Sequence, residues 1–219
     1  MIKSKEILTA NWGRLVSGAA DKIQISHLVN ALDDKYDLLN KIVQEVGTKA
    51  VIEQHLGRLV DAFGGLSAVS NQRILDIACG SNSSQAPPSL SINTPLQTST
   101  FANTSENGQT ALFEPWFCRI LLALGATPVG IDFGDLSGET FEHYYVDLTK
   151  IGALDFLPSH SFDAVQDSRL FGSPEFTALL PDRAERRNVA QEIRKQEQRL
   201  LKEGGILIHS DAAQLLEDK

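Results

Sequence analysis

The amino-acid sequence predicts an α/β fold, a parallel sheet covered by helices on both faces. Short apolar runs recur from residue 73 onward, and each closes on a Gly, Asp or His. Stretches of helical spacing or turn composition separate them, so each connection is a right-handed crossover back to the same sheet. The runs are apolar with little alternation, as strands buried on both faces are.

The elements follow in order. From the candidate cap Ser26, the residues Leu28, Val29, Leu32, Tyr36, Leu39, Ile42, Val43 and Val46 recur at steps of three and four, and Gly47 is a candidate stop. A second amphipathic helix runs from Thr48 through Val51, Ile52, Leu56, Leu59, Val60 and Phe63 to Gly64 and Gly65. Ile74, Leu75, Ile77 and Ala78, closed by Gly80, form the first strand. Residues 81 to 110 are rich in Ser, Thr, Asn, Gln and Pro and keep no apolar period, the composition of a mobile insertion. Pro115 opens a helix with Trp116, Ile120, Leu121 and Leu124 on its apolar face, and Gly125 ends it. Strands are then expected at Pro128 to Phe133, around Tyr144 to Val146, and at Phe162 to Gln166. A charged helix spans Asp182 to Lys202, and Gly204 and Gly205 turn it into a fifth strand, Ile206 to His209. The organisation expected is a helical segment over residues 1–70 packed on the core, then one domain over 71–219 with an insertion at about 81–110.

Composition narrows the function. A net charge of −8 disfavours binding to phosphate backbones, so a small-molecule partner is expected and nucleic acid is not. The basic cluster Arg183, Arg186, Arg187, Arg194 and Lys195 is interspersed with acids and amides, as on a solvated helix face. No apolar run approaches the roughly 20 residues a membrane span needs, and no signal-peptide core follows Met1, so a cytoplasmic protein with no membrane attachment is expected. Cys79 and Cys118 fit neither a disulfide framework nor a zinc cluster, and no metal is expected.

Ligands of such sheets bind beyond the carboxyl ends of the strands, near the point where strand order reverses. The polar residues fall there: Asp76 to Gly80, Asp132, Asp147, Asp167 to Arg169, and His209 to Asp211. A glycine turn such as Gly80 lets backbone approach a ligand with no Cβ in the way. A carboxylate such as Asp132 can accept both hydrogen bonds of a ribose diol.

Five stretches in order, Ile74 to Gly80, Val129 to Asp132, Tyr145 to Leu148, Ser161 to Val165 and Leu200 to Ile208, resemble the class I methyltransferases that use S-adenosylmethionine and have a Rossmann-like fold. The resemblance covers about residues 71 to 211. It implies S-adenosylmethionine as cofactor. It places Asp76 at the glycine turn and the methionine amine, Asp132 at the ribose, Asp147 with the Leu148 backbone at the adenine, and Ala78, Gly80 and Phe133 among the cofactor-binding residues. Capping or loop bonding is the alternative for Asp132, Asp147 and Asp76.

Two features depart from that family. The turn continues as Ser81-Asn82-Ser83-Ser84 where further glycines are usual, and the chain reaches Lys219 soon after the fifth strand, without the usual antiparallel strand pair. Methyl transfer is an in-line displacement that needs mainly alignment and exclusion of water. If the acceptor must lose a proton, His209 is the expected base and Asp167 the next candidate. A packed or loop-bonded His209 is the alternative. The run Ser168 to Pro174 stands where acceptor-binding residues are expected, without the Asn-Pro-Pro-Tyr pattern of amino methyltransferases. A non-catalytic cofactor-binding or regulatory protein and a NAD-dependent oxidoreductase are the other readings. The missing Gly-x-Gly-x-x-Gly counts against the last.

Overall fold

The computed structural model of the chain describes residues 5–8, 46–81, 114–167 and 170–209. Most of the helix expected from Ser26, including Tyr36, and the insertion from Asn82 to Thr110 fall outside them. In chain order the elements are β1 (Lys5–Leu8), α1 (Val46–Phe63), β2 (Arg73–Ile77), α2 (Trp116–Ala123), β3 (Thr127–Asp132), β4 (Glu142–Tyr145), β5 (Phe162–Asp167), α3 (Pro174–Leu179), α4 (Arg183–Leu200) and β6 (Leu201–His209). The six strands form one sheet in the order β1-β6-β5-β2-β3-β4, and every neighbouring pair is parallel. The chain builds outward from β2 through β3 to β4, crosses back, and builds the other way through β5 to β6. Strand order therefore reverses between β2 and β5, the place where such sheets hold ligands.

Successive strand residues face opposite sides, and the two faces carry separate cores. Leu75, Ile77, Val129, Ile131, Val165 and Leu207 pack with Phe176 of α3 and with Val189, Ala190, Ile193 and Leu200 of α4. Ile74 and Ala164 pack on the other side with Leu56 and Leu59 of α1 and with Trp116, Phe117, Ile120 and Leu121 of α2. These stripes recur at helical spacing, so burying them holds each helix on the sheet. The end of α2 is set by Gly125 at φ +79, whose N–H bonds the Leu122 carbonyl while the Ala126 N–H bonds that of Leu121. The start of α4 is set by Asp182, whose carboxylate accepts the Glu185 N–H at 2.8 Å.

Three local expectations change. Gly47 is the second residue of α1, in its first turn, and the helix it was expected to stop lies outside the described residues. β6 begins at Leu201, and the glycines expected to form the turn into it lie within it. Pairing jumps from Phe162↔Leu201 to Ala164↔Ile206, with Gly204 at φ +75 absorbing the irregularity. A Cβ on Gly205 would stand 3.0 Å from the Lys202 carbonyl and 3.2 Å from that of Asp163. Finally, the segment read as helical also supplies the edge strand β1, paired with β6 from Lys5↔Ile206 to Leu8↔His209. Among the described residues no helix is long and apolar enough to cross a membrane.

Candidate functional site

Asp132 ends β3 and laces three loops together at the carboxyl edge. Its Oδ2 accepts the Gly80 N–H at 2.9 Å and its Oδ1 the Gly134 N–H at 2.8 Å. Its main-chain carbonyl accepts the Val146 N–H at 2.9 Å, and the carbonyl of Ile131 accepts the Cys79 N–H at 3.0 Å. The turn after β2 needs Gly80 at φ +90, and it also holds Ala78 at φ +59, a conformation a residue with a Cβ rarely adopts. Gly134 is obligatory for a steric reason: a Cβ there would overlap the Ser81 side chain.

Asp76 is fully buried on the α2 side of β2, in register with Gly130 and Gln166. The Cys118 thiol of α2 donates to its Oδ2 at 3.8 Å. Gly130 makes this approach possible, since a Cβ there would stand 2.9 Å from the Cys79 sulfur, 3.3 Å from that of Cys118 and 2.7 Å from the Phe141 ring. Burial pushes the Cys118 thiol up to about 11, with the Asp76 charge adding to the rise. Burial also raises Cys79 well above the ordinary thiol value, reinforced by Cys118. Both are therefore thiols at neutral pH, with the low reactivity of buried cysteine.

Along the β4 end, Asp147 caps its own turn, its Oδ1 accepting the Thr149 N–H at 3.0 Å and the Thr149 hydroxyl at 2.5 Å. Capping was the alternative role open to it. Leu148 is buried in the core on the α4 side. Phe133, half-buried, stacks on the exposed Tyr145 with ring centres 5.5 Å apart, next to Asp132.

Asp167 and His209 are register partners on neighbouring strands, so the fold brings the two expected proton acceptors together. It joins them to two residues of α4 that sequence reading left on a solvated face or did not single out. Arg194 Nη2 lies 2.7 Å from Asp167 Oδ2, and Nη1 lies 2.9 Å from Glu197 Oε2 and contacts His209 Nδ1. His209 Nδ1 is 3.6 Å from Asp167 Oδ2. The Arg194 guanidinium also lies 5.0 Å from the centre of the Phe171 ring. Asp167, Glu197 and His209 are buried, and Arg194 is 16% exposed.

The basic cluster on α4 is thus not uniformly solvated. Lys195 is exposed, but Arg186 donates to the carbonyls of Leu180 and Pro181, and Arg194 is built into the edge. The only sequence signal for Arg194 and Glu197 was their i,i+3 spacing on the stripe that buries Val189, Ala190 and Ile193.

A second ionic group braces α2. Arg119 pairs with Glu114 and, at 2.6 Å, with Glu139 of the loop after β3, and its guanidinium lies 4.6 Å from the Trp116 ring centre.

The site therefore has two parts: a laced, glycine-dependent loop set over β2, β3 and β4, and a buried charged quartet at the ends of β5 and β6. Among known proteins, no family model matches the sequence, and no curated protein matches it.

Proposed function

We propose that the protein binds S-adenosylmethionine over the ends of β2, β3 and β4 and transfers its methyl group to a small-molecule acceptor over β5 and β6. The observation that carries the reading is the Asp132–Gly80 lacing beside the point of strand-order reversal. The residues present fit the cofactor. Each carboxylate oxygen has two lone pairs, so the oxygens that hold Gly80 and Gly134 can also accept from a ribose diol. Gly80 brings main chain without a Cβ beside the Asp132 carboxylate, and Phe133 on Tyr145 offers an aromatic wall next to Asp132.

When bound, S-adenosylmethionine supplies an electrophilic methyl on a sulfonium, and the chain's own task is to orient and to exclude water. Asp147 and Ala78 stand at the ends of the same strands, while Asp76 and Leu148 are buried beneath them and would act only by supporting the turns above. The net charge of −8 supports a small acceptor over a nucleic acid, and a cytoplasmic setting remains part of the proposal.

A second reading, a cofactor-binding protein without catalysis, is favoured by the burial of His209 and Asp167 in the quartet. Calorimetric titration with S-adenosylmethionine, its demethylated product and NAD tests the proposal. Binding of the first two and not of NAD is expected; tight binding of NAD alone would overturn it.

A further inference from the structure

We propose that Cys79 and Cys118 are a redox pair, joined by oxidation into a disulfide that ties the turn after β2 to α2, and that the turn must open before an oxidant reaches them. The fold brings together two cysteines that are far apart in sequence. A Cβ on Gly130 would stand 2.9 Å from the Cys79 sulfur and 3.3 Å from that of Cys118, so both sulfurs crowd the space this glycine leaves. The thiols are within hydrogen-bonding reach of each other, and they share one small core with Leu136 and Phe141. The chain has no other cysteine, so neither has a competing partner in the molecule.

Their surroundings decide when the reaction runs. Cys118 is fully buried and Cys79 is 5% exposed. Burial raises both thiols above the ordinary value, so a solvent oxidant meets little thiolate while the turn is closed. That closure rests on few contacts. The Gly80 N–H donates to Asp132 Oδ2 at 2.9 Å, and the Cys79 N–H to the Ile131 carbonyl at 3.0 Å. Ala78, just before Cys79, sits at φ +59, a conformation that persists only where its surroundings impose it. Cys118 is carried by α2, whose Trp116, Phe117, Ile120 and Leu121 are buried against the sheet. The turn is therefore the part that moves, and Cys79 is the thiol that meets the oxidant first.

With a peroxide as oxidant, the Cys79 sulfur attacks a peroxide oxygen and the O–O bond breaks. Hydrogen peroxide thus leaves a sulfenic acid on Cys79 and one water. The Cys118 sulfur then attacks the Cys79 sulfur, the S–O bond breaks, and the hydroxide departs with the Cys118 proton as a second water. The two sulfurs give up an electron pair between them, and the peroxide oxygens take it. This chemistry needs no cofactor. Its consequence for binding, a Gly80 turn fixed to α2, rests on the S-adenosylmethionine reading.

The test treats the full chain with hydrogen peroxide in native buffer, then counts thiols after denaturation and measures the intact mass. Expected are joint loss of both thiols, a mass lower by two hydrogens, no linkage between chains, and recovery of both thiols with dithiothreitol. In Cys118→Ser, Cys79 should stop at oxygen adducts. Asp132→Ala removes the acceptor of the Gly80 N–H and should form the disulfide several-fold faster than wild type. Both thiols retained in wild type, oxygen adducts in place of the loss of hydrogens, or linked chains overturn the pair. Equal rates in wild type and Asp132→Ala overturn the role of the turn. Should that variant fail to fold, the wild-type rate in low urea decides: a slope well below that of global unfolding is expected, and the full unfolding slope would place oxidation in the unfolded chain. Thiol counting uses no cofactor and calorimetry reads the S-adenosylmethionine proposal, so either can fail alone.

Discussion

The Asp132 carboxylate and the Gly80 amide meet at 2.9 Å, closing the turn after β2 onto the end of β3. The same carboxylate holds the Gly134 amide, so Asp132→Ala strips two part-buried N–H groups of their acceptor. A loss of about 1–3 kcal/mol is expected from thermal or denaturant unfolding. Calorimetry should show S-adenosylmethionine binding weakened several-fold or more. Asp132→Asn keeps one acceptor oxygen and should fall between wild type and Ala in stability. Equal cofactor binding by wild type and Asp132→Ala would remove the residue from the site.

Gly134→Ala drives a methyl into Ser81, and overpacking of this kind costs about 1–3 kcal/mol. Ser81→Gly alone should cost little, and the double variant should recover most of the loss, because the clash is between these two side chains. Non-additivity in unfolding midpoints is the readout; simple addition would mean that Gly134 is needed for its backbone and not for room. Gly130→Ala should be worse, since Phe141, Cys79 and Cys118 crowd one point and none is a flexible chain end.

What the sequence disclosed and what it hid have physical reasons. β2, β3 and β5 were readable because each carries a short run of buried apolar residues, Ile74 with Leu75 and Ile77, Val129 with Ile131, and Ala164 with Val165, and α2 because Trp116, Ile120 and Leu124 share one side with Gly125 past its end. β1 was hidden, since four residues including Lys5 and Glu6 offer neither a period nor an apolar run, and only pairing with β6 makes them a strand. Gly204 and Gly205 were read as a turn because a glycine pair is equally at home in a turn and in a strand irregularity. At the site, the strand-end rule already brought Asp167 near His209. Arg194 and Glu197 look like solvated charges in any helix, and only the packing of α4 on β5 and β6 buries them.

The buried thiols make stability fall in alkali. The Cys118 thiol ionises near 11 in the fold and near 9.0 in an unconstrained chain. Its contribution is therefore complete below pH 9 and is lost as pH rises towards 11, where the unfolded chain has released the proton and the folded one has not. The loss attributable to this group is on the order of 2–3 kcal/mol. Unfolding midpoints measured from pH 8 to 11 should show it, with a shallower slope in Cys118→Ala. Identical slopes in the two proteins would exclude Cys118 as the cause.

Arg119 is 3% exposed between two carboxylates that are 9% and 3% exposed. Arg119→Met keeps the packing on Trp116 but leaves Glu114 and Glu139 with their charges uncompensated in the interior. A cost of about 3–5 kcal/mol is expected at neutral pH. Denaturant unfolding of variant and wild type at neutral pH measures the gap, and a loss under about 1 kcal/mol would show that the ionic group does not brace α2.

The strand β1 covers the outer edge of β6 over residues 206 to 209, the stretch that ends at His209. Deleting residues 1–8 leaves that edge with a row of unpaired N–H and C=O groups, a template for pairing with another chain. The shortened protein should therefore dimerise or aggregate at concentrations where the full chain does not, as light scattering after size-exclusion chromatography would show. If the deletion leaves the protein monomeric and equally stable, β1 contributes no pairing in solution and β6 is itself the edge of the sheet.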